Sequence, residues 1–98
     1  MFGVAKIKST DPLEKRFHGL CAFVRLHLMK AAEGDVEAGF AAARERGMIG
    51  ERDERFLRSC LADDDKLAQG ESLGGAVTPE LLDEVQAMVN KLNMGDSA

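Results

Sequence analysis

Apolar side chains recur along this chain at the three- and four-residue spacings of amphipathic helices, in four blocks divided by glycine or by helix-capping residues. The first block is the longest. Leu13, Phe17, Leu20, Val24, Leu28 and Ala31 make one stripe. Asp11 stands as N-cap, Pro12 takes the first helical position, Glu14 sits where a capping-box acid would, and Gly34 supplies a stop, which predicts a helix over 12–33. Val36, Phe40 and Ala43, between Asp35 and Gly47, predict a shorter helix over 35–46, with Met48 folding back onto Ala43. Phe56, Leu57, Cys60 and Leu61 predict a third over 51–68, opened by Glu51, Asp53 and Glu54 at the positive end of its dipole. Leu81, Val85, Met88 and Leu92 predict a fourth over 79–93, capped by Thr78.

Between these blocks the pattern weakens. Residues 1–10 read as an arm, 69–77 as a flexible linker carrying Gly70, Gly74 and Gly75, and 95–98 as a frayed tail. Asp63, Asp64 and Asp65 near the end of the third helix oppose its dipole, so a break or irregular turn is expected there. The expected fold is an all-α bundle of about four helices in one domain, with the first and fourth packed together.

The first helix has more apolar surface than one stripe. Cys21, Phe23, Leu26 and Met29 form a second group, and from Leu20 to Met29 only Arg25 and His27 are polar. A helix apolar on most sides is central in a bundle or covered by another chain. The expectation is a homodimer through Leu20, Phe23, Leu26 and Met29, with Arg25 and His27 at its rim.

Composition sharpens this in two ways. Of 98 residues, 45% are hydrophobic, yet Trp and Tyr are absent and five Phe supply all the aromatic bulk, which suits packed helices. The net charge of -4 is unevenly spread: residues 1–30 hold six basic and two acidic side chains, a balance of +4, and residues 31–98 hold the remaining seven and fifteen, a balance of -8. The basic face of Lys15, Arg16 and Lys30 and the acidic run Asp63, Asp64 and Asp65 are therefore candidate partner surfaces. Cys21 and Cys60 lack metal-ligand spacing and are expected reduced and partly buried in a cytoplasmic protein. No membrane span is expected.

Candidate chemistry is sparse. His27-Leu28-Met29-Lys30-Ala31 resembles the H-x-x-K-small pattern of histidine phosphotransfer domains, which are helical bundles of similar size. That resemblance implies His27 as phosphoacceptor, Lys30 as stabiliser of the phosphoryl group and Ala31 as the small residue admitting a response regulator. It is carried by five residues, and Ala31 stands where the family usually has Gly. The run through Ala43, Gly47 and Met48 is similar to a helix-turn-helix, but the next helix opens Glu51-Arg52-Asp53-Glu54-Arg55, and three acids in five would repel phosphates. Nucleic acid thus remains a lesser alternative through the basic N-terminal region. Gly75–Glu80 resembles the end of a calcium-binding EF-hand loop, but Gly70, Ser72 and Gly74 stand where carboxylates belong. No nucleophile–base set or phosphate loop is assembled. The sequence therefore points to a non-catalytic interaction module without cofactor or metal, acting as a small regulator, adaptor or inhibitor, whose partners are a second copy of itself and another protein.

Overall fold

The computed structural model describes residues 10–96, with side chains placed through Asn93. The described residues fold as four helices, α1 (Pro12–Ala31), α2 (Val36–Glu45), α3 (Glu51–Ala68) and α4 (Pro79–Asp96). The expected arm lies outside the described residues apart from Thr10.

Three starts are set by side-chain caps. Asp11 accepts the Leu13 N–H at 2.9 Å, Asp35 the Glu37 N–H at 3.0 Å, and Thr78 the Leu81 N–H at 3.1 Å. Behind Gly50, which has no side chain to cap with, Asp53 accepts the Gly50 N–H at 3.1 Å. α2 ends in a Schellman turn: Gly47, at φ 73°, donates to Arg44 O, and Met48 donates to Ala43 O at 3.0 Å. α1 stops at Ala31, two residues before the expected end, because Glu33 and Gly34 both take positive φ to turn the chain into α2.

α1 is the central element. It packs most extensively along α4, as the apolar pattern predicts, and also along α2 and α3. Phe17, Cys21, Val24 and Leu28 are fully buried from its side, against Phe40 of α2, Leu57 of α3 and Val85 and Leu92 of α4. Burying each such side chain contributes roughly 1.5–3 kcal/mol. Leu20, expected at a dimer interface, belongs to this core: it lies on the α1 face carrying Phe17 and Val24 and is 7% exposed.

Two departures from the sequence expectation have clear causes. α3 runs unbroken through Asp63, Asp64 and Asp65, since Asp64 and Asp65 are both ion-paired to Arg25 of α1 rather than left bare at the negative end of the dipole. Glu14 is buried, and its carboxylate accepts the Leu73 N–H at 3.1 Å from the segment expected as a free linker. Leu73 and buried Val77 then tie that segment to the core.

α2 approaches α1 closely at Gly39. A Cβ there would fall inside van der Waals distance of the Leu28 backbone. Alanine would improve intrinsic helix propensity by about 1 kcal/mol, but it would also force α2 away from α1. Gly39→Ala is expected to lower stability by a net ~2 kcal/mol in urea denaturation; an unchanged or raised midpoint would contradict this packing.

Candidate functional site

Spacing along two helices builds a polar contact inside the α1–α3 interface. His18, Cys21 and Arg25 stand at i, i+3 and i+7, on one side of α1. They face Cys60, Leu61, Asp64 and Asp65 of α3. Asp64 is 1% exposed, and its Oδ1 accepts from His18 Nδ1 at 2.6 Å. Its Oδ2 accepts from one terminal nitrogen of Arg25. The other terminal nitrogen donates to Leu61 O at 3.1 Å and Asp65 Oδ1 at 2.8 Å. The planar guanidinium thus binds two carboxylates and a carbonyl at once. Arg25 is therefore committed within the fold rather than standing at the rim of an interface, and Asp64 is interior rather than part of an acidic docking surface. Asp65 is exposed but also bound to Arg25, and Asp63 is half-buried.

The two thiols lie beside this contact. Cys21 Sγ donates to Cys60 O at 3.7 Å, and both cysteines are reduced and buried. Burial pushes the Cys60 thiol up to about 12, helped by Asp63 and Glu84. Burial and then Asp64 push Cys21 higher still. The thiolate is the reactive form, so neither sulfur is set up as a nucleophile near neutral pH. Among the described residues, no group of three or more His, Cys, Asp or Glu side chains is arranged to hold a metal. A surface pocket of about 420 Å³ opens between the start of α1 and the 70–75 loop, lined by Asp11, Glu14 and Glu71 among others.

The opposite side of α1 is different in kind. Phe23 is 54% exposed, the one large hydrophobic so placed among the described residues. Leu26, His27 and Met29 around it are half-buried, and Lys15, Arg16 and Lys30 are exposed. Those three cations make no ion pair among the described residues, as is also true of exposed Arg46, Arg52 and Lys66; Arg44, Arg55, Arg58 and Lys91 each have a carboxylate partner. Gly19 lies one turn before Phe23, and beyond its chain neighbours and its own helix backbone no atom of the described residues comes within 4 Å of where its Cβ would stand. A glycine inside a helix costs about 0.5–1 kcal/mol relative to alanine. The pattern thus brings Phe23, Leu26, Met29, Lys15, Arg16 and Lys30 to one accessible region. His27 is half-buried there, with Lys30 exposed one turn on. Gly19 was not singled out in the sequence; its signal was a glycine within an otherwise strong helical pattern.

In comparisons with known proteins, no protein-family model, curated protein or solved structure matches the chain.

Two measurements test the interior contact. Arg25→Ala strands Asp64 with His18 as its remaining side-chain partner and is expected to lower unfolding free energy by about 3 kcal/mol, most of it recovered when Asp64→Leu is combined with Arg25→Met. A loss within ~0.5 kcal/mol, typical of surface sites, would show the pair to be superficial.

For the thiols, the folded state holds protons that unfolded cysteines release near their ordinary value of 9.0. Their contribution to stability is therefore complete below that value and declines as pH rises towards about 12. A denaturation midpoint that increases over this alkaline range would contradict the assignment, as would rapid reaction of native protein with Ellman's reagent at about pH 8.

Proposed function

We propose that this chain is a non-catalytic protein–protein interaction module, a small regulator, adaptor or inhibitor, whose contact surface is the outward face of α1. The observation that carries this is the exposure of Phe23 in the middle of the longest helix. A single apolar side chain at a surface is ordinary. This one is an aromatic set beside half-buried Leu26 and Met29, with exposed cations that make no ion pair among the described residues along the same face. A buried aromatic anchor inside a polar rim is the arrangement on which interface energetics concentrate.

The packing of the described helices leaves this face of α1 uncovered by them. The molecule measures 37 × 31 × 19 Å. Its short dimension holds two layers of helices at about 8–10 Å between axes, so α1 can be covered from one side and still present the other. A second copy packed across α1, expected from the sequence, is the alternative occupant of this face to a different protein. Two reduced, buried thiols suit a reducing compartment such as the cytoplasm. No helix among the described residues is long and apolar enough to cross a membrane.

A photo-crosslinking residue at position 23 tests the reading in the source cell, with position 52 on exposed Arg52 of α3 as control. Discrete protein adducts at 23 that are absent at 52 are the expected result. Light scattering of the pure protein then distinguishes self-association from the 10.6 kDa monomer. Equal labelling at both positions, together with a monomer at every concentration, would remove α1 as the contact face.

A further inference from the structure

We propose that the outward face of α1 docks an acidic amphipathic helix of another protein, with Gly19 and Phe23 acting as the notch and ridge that set its register. This rests on reading α1 as the contact face and adds the chemistry of what it receives.

Charge selects the partner. α1 contains a single acid, Glu14, and that side chain is buried. The outward face therefore has Lys15, Arg16 and Lys30 with no carboxylate of its own helix among them. Two copies packed through this face would oppose cation to cation, whereas a partner with carboxylates flanking an apolar stripe complements it. Residues 31–98 carry a balance of -8 and repel polyanions at large, which disfavours nucleic acid and anionic lipid relative to a compact acidic segment.

Shape selects a side chain as what is received. Gly19 and Phe23 are one turn apart and share a side of the helix. Gly39 has a packing reason to lack a Cβ, because Leu28 occupies the space; Gly19 has none among the described residues. The missing Cβ leaves open space beside the exposed ring. A partner helix can seat one apolar side chain there and pack its neighbours against Phe23, Leu26 and Met29.

The test uses fluorescence anisotropy with a labelled helical peptide bearing Leu at i, i+3, i+4 and i+7 and Glu elsewhere, and a twin with Lys for Glu. The Glu peptide is expected to bind about tenfold or more tightly than the twin, and less tightly as salt is raised. Phe23→Ala is expected to weaken binding by about tenfold or more with little change in Tm. Gly19→Leu is the deciding variant: it is expected to raise Tm by about 4 °C while weakening binding about tenfold.

Equal or tighter binding of the Lys twin overturns the acidic partner. Undiminished binding by Gly19→Leu overturns the notch, since a merely greasy surface would bind better with an added leucine. Binding to anionic vesicles or duplex DNA in place of the Glu peptide overturns the assignment to protein. Failure of both peptides, with specific crosslinks still formed at position 23, overturns this inference and leaves the contact face standing. Failure of both the peptides and the crosslinks overturns the two together.

Discussion

The contact between Arg25 and Asp64 fixes how α1 is turned about its own axis, and most of the molecule follows from that rotation. A buried carboxylate must be answered by a donor at a set position, and here Arg25 and His18 of α1 both face it. Phe23 is two residues from Arg25, about 200° around the helix. Aiming the guanidinium inward therefore aims the aromatic ring outward. Exposure of Phe23 is a geometric consequence of satisfying Asp64, and the same pair lets α3 continue through three successive aspartates.

A second layer of polar contacts holds the short helix. α2 has ten residues and could not persist in isolation. Arg58 of α3 lies over the Phe40 ring at 4.5 Å and donates to both carboxylate oxygens of Glu37, at 2.7 and 2.8 Å, and to Glu54. Hydrogen bonds from Arg58 hold the Glu37 and Glu54 carboxyls below their ordinary value. These exposed pairs contribute modestly each; their role is to orient α2 over α3 while Gly39 and Phe40 pack against the core.

What could be read from the sequence was what is encoded locally. The caps at Asp11, Asp35 and Thr78, the glycine turn at Gly47, and the stripes through Phe17, Phe40, Leu57 and Val85 each depend on residues within a turn or two. They yielded the all-α architecture and the association of the first helix with the fourth. What could not be read was long-range pairing. Asp64 looks like one of three solvated acids until Arg25, 39 positions earlier, is placed against it. Glu14 looks like a capping acid until Leu73 arrives, 59 positions later. For the candidate site, Phe23, Leu26 and Met29 were visible as an apolar surplus, and Lys15, Arg16 and Lys30 as a basic face. Leu20 and Arg25 were assigned to the same group because spacing alone does not reveal which side of a nearly all-apolar helix turns outward. Gly19 carried no distinguishing mark, since a missing side chain takes its meaning from the atoms, present or absent, around it.

The pairing of α1 with α4 also has a bearing on how the polypeptide is made. These are the first and last of the four helices among the described residues, and they share the most extensive interface of the fold. A chain emerging from the ribosome presents Phe17, Val24 and Leu28 well before Val85 and Leu92 have been synthesised. α1 meets α2 and α3 earlier, but the interface it shares most extensively is completed only once α4 has been made. During that interval the flank of α1 that α4 will cover is a natural ligand for chaperones.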